Sequence, residues 1–173
     1  MISMHRLRFF IPFFIAFLIF DIILNFTNSV RYSYRNYYLS IDFVTFLFFL
    51  LTIPLVFFKK LNTIEDLTLR DFLVQHLCGL IVILWGASNA TFHYFSSGGV
   101  SSLVITTIFS GSFFLINSFT YALFILFGII FLHLCVLPFE SLNPVKLSIP
   151  NILSIQLSAI VGVLLDSFHR NSI

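Results

Sequence analysis

Two polar residues in the first apolar segment have the types and spacing for binding a ligand or a cation. Asp21 and Asn25 are four residues apart, so a helix places them on one face, one turn from each other. A carboxylate inside a membrane costs free energy unless it is protonated or paired, so such residues usually face protein or water. The pair therefore predicts either a ligand, cation or proton site, or a hydrogen bond to a neighbouring helix.

A second set of polar residues lies in the third apolar segment. Its members share one helical stripe, which we expect to face a bundle interior: Trp85, Ser88, Asn89 and His93. His93 and His133 are both expected near the outer ends of their helices, where they would lie at similar depth. Histidine is a common metal ligand, but no close ligand spacing or haem-attachment motif accompanies these two. We interpret the two histidines as packing or hydrogen-bonding residues and not as metal ligands, and the sequence predicts neither a metal nor a cofactor. The candidate ligand-binding residues are Asp21, Asn25, Trp85, Ser88, Asn89, His93 and His133.

The elements that position these residues are predicted to be membrane-spanning helices. Hydrophobic residues make up 59% of the 173 residues and charged residues only 9%, against about 25% charged residues in soluble domains. A soluble fold of this size would leave too much apolar surface in water, because a small globule buries only about two thirds of its chain. We therefore predict an all-α membrane helix bundle, a single transmembrane domain over residues 1–173 in the cell membrane of a bacterium, with lipids as partners.

Six apolar segments approach the length of about 20 residues that a helix needs to cross a bilayer. They cover residues 9–26, 41–58, 72–95, 100–116, 119–139 and 150–168. Only Asn117 and Ser118 separate the fourth from the fifth. One continuous helix over residues 100–139 would be about 60 Å long, twice the bilayer core, so we predict a tight helical hairpin at this point.

The distribution of lysine and arginine predicts that both termini lie in the cytoplasm. With the N-terminus inside, six basic residues lie on the cytoplasmic side and three outside. Two of the outer ones, Arg31 and Arg35, belong to a predicted loop of residues 27–40 that carries four tyrosines. Such a loop is typical of an interfacial anchor, or it forms one wall of an external ligand site. Residues 59–71 are predicted to form a short cytoplasmic turn or an amphipathic segment, and residues 96–99 a flexible external turn.

Small residues at four-residue spacing predict close helix packing in the fourth and sixth segments. In the fourth segment they are Ser102, Thr106 and Ser110. In the sixth they are Ser154, Ser158 and Gly162, a candidate contact for another membrane protein or a second copy of the chain. No nucleic acid is expected as a partner, because the net charge is only +2 and no dense basic cluster is present.

Three features occur in a recognisable order along the chain. Asp21 lies late in helix one, Arg31 and Arg35 follow in the first loop, and a closing stretch runs from Asn151 to Arg170. In this order the chain resembles the six-helix membrane sensor regions that precede diguanylate cyclase, adenylate cyclase or histidine kinase domains in bacteria. The resemblance implies a sensor region with both ends in the cytoplasm, either an isolated module or a stand-alone relative, because no output domain follows Arg170.

Three classes of function remain open at this stage. No P-loop, nucleophile elbow, Rossmann glycine pattern or paired catalytic carboxylate motif is present, so an enzyme is the least favoured class. The favoured class is a non-enzymatic membrane module that senses a ligand or binds a partner. The alternative is a small-molecule transporter, or the substrate-binding membrane subunit of one. Its outward-facing pocket would be lined by Asp21, Trp85, Asn89 and His93.

Overall fold

The part of the chain that the structure describes is helical. A computed structural model describes residues 2–27, 35–58, 68–97, 103–108 and 118–140, and residues 157, 160, 161 and 164. For residues 2–5, 92–97, 118, 133 and 135–140 the description covers the backbone alone. Every described residue except Phe58 and Thr68 is helical, which confirms the predicted all-α fold for this part of the chain.

Most of the described residues belong to five helices. They are α1 (Ile2–Thr27), α2 (Arg35–Phe57), α3 (Leu69–Ser97), α4 (residues 103–108) and α5 (Ser118–Glu140). Among the described residues, three helical stretches are long and apolar enough to cross a membrane: Arg6–Thr27, Arg35–Phe57 and Leu69–Thr91. Helices of this length measure about 33–35 Å, against about 30 Å for the bilayer core.

The first three predicted spans are therefore confirmed as helices of membrane-crossing length. The fifth predicted span coincides with α5, whose described side chains form a shorter apolar helix, Phe119–Leu132. Only residues 103–108 of the fourth span and four positions of the sixth are described, so the total of six spans stays a prediction.

The helices extend past the apolar segments into residues that the sequence assigned to loops. Arg35, Tyr37 and Tyr38 belong to the first turn of α2 and not to a loop of residues 27–40. Residues 96–97 likewise lie in α3 and not in a turn, and so do residues 69–71, for which an amphipathic segment was the alternative. These loop assignments were wrong, because hydropathy marks the thickness of the hydrocarbon core and does not mark where a helix begins or ends.

The first turn of α3 shows what sets a helix start outside an apolar segment. The carboxylate of Asp71 accepts hydrogen bonds from the backbone N–H and the hydroxyl of Thr68, each at 2.7 Å. The backbone N–H of Asp71 donates in return to the carbonyl of Thr68 at 3.0 Å. An acidic side chain that reaches back to the residue before the helix is one half of a capping box, and it lies at the positive end of the helix dipole. The helix therefore starts before Phe72, where the apolar segment begins.

The chain forms two compact units, Met1–Cys78 and Gly79–Ile173, with the boundary inside α3. The first unit contains α1, α2 and the start of α3, and α1 packs against α2. The second contains the rest of α3 together with α4 and α5.

Candidate functional site

In the first unit, α1 and α2 form an antiparallel hairpin. At one end, Arg8 of α1 donates from Nε to the carbonyl of Val56, in the last turn of α2, at 3.0 Å. At the other end, Asn25 of α1 donates from Nδ2 to Oδ2 of Asp42 at 2.8 Å, seven residues into α2. Contacts between the start of each helix and the end of the other define both the direction and the register of the pair.

The buried residues of the hairpin follow a regular seam. On both helices the buried residues other than Phe10 alternate three and four residues apart, the spacing of helices that pack side by side at a small crossing angle. On α1 the seam is Leu7, Ile11, Phe14, Leu18, Asp21 and Asn25. On α2 it is Tyr38, Asp42, Thr45, Phe49, Thr52 and Val56.

Aromatic rings close the middle of this seam. The ring of Phe49 meets that of Phe14 with centroids 5.0 Å apart and that of Phe10 with centroids 6.1 Å apart, at interplanar angles of 61° and 62°. These are edge-to-face contacts, which contribute beyond the area they bury. Phe10 and Phe49 have no exposed surface, so these aromatic rings separate the hydrogen bond of Arg8 from the polar residues at the other end of the hairpin.

The polar end of the seam is the candidate functional site. It consists of Asp21, Asn25 and Asp42, here called the polar cluster. Asn25 and Asp42 are fully buried, and Asp21 is 8% exposed and lies one turn from Asn25 on the same stripe. Buried polar groups are costly unless they are hydrogen-bonded, so the bond between Asn25 and Asp42 holds α1 and α2 together in one arrangement.

The sequence identified Asp21 and Asn25 as a pair on one face of helix one, and the structure places both on the buried face of α1. Asp42, the second residue of the second apolar segment, was not among the predicted site residues. The signal that would have found it is the seam itself: Asp42 continues the three-and-four spacing of Thr45, Phe49 and Thr52.

The polarity of the hairpin is inverted relative to a soluble protein. The polar residues Asp21, Asn25, Asp42, Thr45 and Thr52 are buried between the helices. The outer surface instead carries large apolar side chains, including Phe9 (70% exposed), Phe20 (57%), Val44 (67%) and Leu51 (71%). Exposed apolar side chains are unfavourable in water and favourable in hydrocarbon. Inside hydrocarbon, polar groups must form their hydrogen bonds within the protein.

In the second unit, the predicted polar stripe of α3 is largely satisfied within its own helix. Trp85 and Asn89 are buried and Ser88 is partly exposed. The Ser88 hydroxyl donates to the carbonyl of Leu84 at 2.8 Å, and Nδ2 of Asn89 donates to the carbonyl of Trp85 at 3.1 Å. Bonds to the carbonyl four residues earlier are the usual local solution for polar side chains inside a helix.

The two histidines predicted near the outer helix ends lie on α3 and α5, but the side chains of His93 and His133 are outside the described part. Their proximity stays a prediction. Among the described residues, no group of three or more His, Cys, Asp or Glu side chains is placed to hold a metal ion.

Close backbone packing marks the second unit. A Cβ built on Gly86 of α3 would lie 2.7 Å from Cβ and 2.8 Å from Cγ2 of Thr106, on α4. A Cβ on Gly128 of α5 would lie 2.8 Å from Cγ2 of Ile83. The hydroxyl of Tyr121 donates to the carbonyl of Thr107, which ties α5 to α4. This contact at Thr106 agrees with the packing predicted for the fourth segment, whereas Ser154, Ser158 and Gly162 lie outside the described residues.

The described residues define an all-helical protein with three helices of membrane-crossing length and a polar cluster inside one helical hairpin. No protein-family model, curated protein or solved structure matches the chain.

Proposed function

We propose that this chain is a multi-pass membrane protein with six spans and both termini in the cytoplasm, and that it acts as a non-enzymatic sensory or partner-binding module. The observation that carries the proposal is the inverted hairpin of α1 and α2, which buries a hydrogen-bonded polar cluster and exposes apolar side chains. The membrane placement follows from that exposed surface, since lipid is the solvent in which it is stable.

The position of the polar cluster supports the proposed sensory role. The bond between Asn25 and Asp42 joins two helices, so a ligand or partner that competes for either group changes how α1 packs on α2. A binding event coupled to helix arrangement is the basis of signalling across a bundle, because a ligand shifts an equilibrium only through a difference in affinity between two states. The resemblance to bacterial sensor regions, with Asp21 late in helix one, supports the same role.

The predicted topology gives a direct test of the membrane placement. In a variant with Cys78 and Cys135 replaced by alanine, we expect Gly98→Cys to react with an impermeant maleimide in intact cells. Asn62→Cys is expected to react only after the membrane is opened, because three spans place the N-terminus and residue 62 on the same side and residue 98 on the other. Labelling of both positions from one side would contradict the six-span arrangement.

The sensory role is tested by identifying the molecules that remain bound to the purified protein. We expect mass spectrometry of the detergent-purified chain to find a bound small molecule or membrane partner that is absent from the double variant Asn25→Leu/Asp42→Leu. The matched control is Thr52→Val, which removes a buried hydroxyl from the same seam whose hydrogen bond, to the carbonyl of Phe49, stays within α2. Identical bound molecules in the wild type and the double variant would refute a role of the polar cluster in recognition.

A further inference from the structure

A groove lies between the end of α2 and the start of α3 in the first unit. Its volume is about 590 Å³, within the range of about 300–1,000 Å³ that small-molecule sites occupy. In the described part of the chain its lining residues are Pro54, Leu55, Phe58, Thr68, Arg70 and Asp71. The α2 side is apolar and the α3 side is polar and charged, so the groove suits a molecule with one apolar part and one charged part.

The position of the groove indicates which molecule that is. Its residues lie at the ends of two helices of membrane-crossing length, where a helix passes from hydrocarbon into the headgroup layer. Phe58 is 83% exposed beside this groove, a side chain in position to contact acyl chains. The inference rests on the membrane placement proposed above but not on the sensory role, because the polar cluster is at the opposite end of the hairpin.

The charges of the groove select among headgroups. The described residues that line it include one exposed guanidinium, that of Arg70, and one buried carboxylate, that of Asp71. Guanidinium groups bind phosphate oxygens with paired hydrogen bonds, and a carboxylate accepts hydrogen bonds from an ammonium at several positions. Two opposite charges match a headgroup that also has two opposite charges better than they match a headgroup that is only anionic.

We propose that this groove binds a phospholipid with a zwitterionic headgroup that ends in a primary ammonium, as in phosphatidylethanolamine. The phosphate binds Arg70, the ammonium donates to Asp71, and the acyl chains lie along Leu55 and Phe58. Phosphatidylglycerol lacks the cation, and phosphatidylcholine has a cation without N–H donors, so both lose one of the two polar contacts.

The test is native mass spectrometry of the full chain in detergent, titrated with these three lipids at matched acyl chains. We expect phosphatidylethanolamine to bind about tenfold more tightly than the other two, the effect of roughly one hydrogen bond to a charged group. Arg70→Gln is expected to lose about tenfold in that affinity. The control is Arg6→Gln, which removes a partly exposed cation of α1 that does not line the groove. We expect this variant to bind phosphatidylethanolamine with unchanged affinity.

A second variant separates the two polar contacts. Asp71→Asn keeps an oxygen that accepts from Thr68 but removes the negative charge, so we expect it to abolish the preference for phosphatidylethanolamine over phosphatidylglycerol while circular dichroism stays helical. Equal binding of all three lipids by the wild type, or unchanged binding by Arg70→Gln, would overturn the assignment. A chain that stays dissolved and monomeric without detergent would instead refute the membrane placement itself.

Discussion

Replacing Asn25 with leucine is expected to lower the free energy of unfolding by about 1–3 kcal/mol, the cost of removing one hydrogen-bond donor from a buried polar group. The variant removes the donor that lies 2.8 Å from Oδ2 of Asp42, a fully buried carboxylate, and puts no other donor in its place. The loss is measured as a shift in the unfolding curve of the purified protein in mixed detergent and denaturing surfactant.

A second substitution, at Asp42, tests whether the loss of stability comes from the hydrogen bond between the two residues. Removing Asp42 as well, in Asn25→Leu/Asp42→Leu, is expected to restore much of the lost stability, because two apolar side chains of suitable size replace a buried polar pair with little net cost. The four proteins form a double-mutant cycle with a coupling energy of about 0.5–3 kcal/mol. Losses that simply add across the two sites would show that Asn25 and Asp42 do not act on each other.

Gly86→Ala is expected to destabilise the second unit by about 1–3 kcal/mol, the cost of overpacking a tight contact. On helix propensity alone the same change would stabilise α3 by about 1 kcal/mol, so a loss identifies the packing as decisive. The added Cβ would lie 2.7 Å from Cβ of Thr106, an atom that moves only if the helix moves. Thermal unfolding followed by circular dichroism in detergent measures the effect.

Two further variants give the controls for Gly86. Gly128→Ala is expected to cost less, because among the described residues only Cγ2 of Ile83 would lie within 3 Å of the added Cβ, whereas three atoms of Thr106 would lie that close at Gly86. Thr106→Gly, combined with Gly86→Ala, is expected to recover stability, since it removes the atoms that clash. A Gly86→Ala protein at least as stable as the wild type would mean that α3 and α4 are further apart than the structure has them.

The fold class and the first three long helices were predictable from the sequence because both follow from apolar content and segment length. The helix ends were not, because they depend on local hydrogen bonds such as that between Thr68 and Asp71, which hydropathy does not record. The start of α2 at Arg35 shows the same limit: interfacial arginine and tyrosine residues are compatible with either a loop or a helical turn.

For the candidate site, the polar face of helix one was predictable from the sequence, but the contact between Asn25 and Asp42 was not. The four-residue spacing of Asp21 and Asn25 locates a polar face on helix one without naming the helix that it meets. Asp42 is a single carboxylate seven residues into α2, and only the antiparallel register brings it to Asn25. Gly86 is a comparable case, since a lone glycine in a helix does not reveal which neighbour approaches it.

The hydrogen bond between α1 and α2 also bears on how the chain enters the bilayer as it is synthesised. Alone at the translocon, helix one would present Asp21 and Asn25 to lipid. An aspartate opposes insertion by about 2.5–3.5 kcal/mol at the centre of a helix and by less toward its end, where Asp21 lies. Asp42, the partner of Asn25, emerges from the ribosome only 17 residues later. We therefore expect helix one to stay at the translocon until helix two has been synthesised, so that both enter the bilayer together.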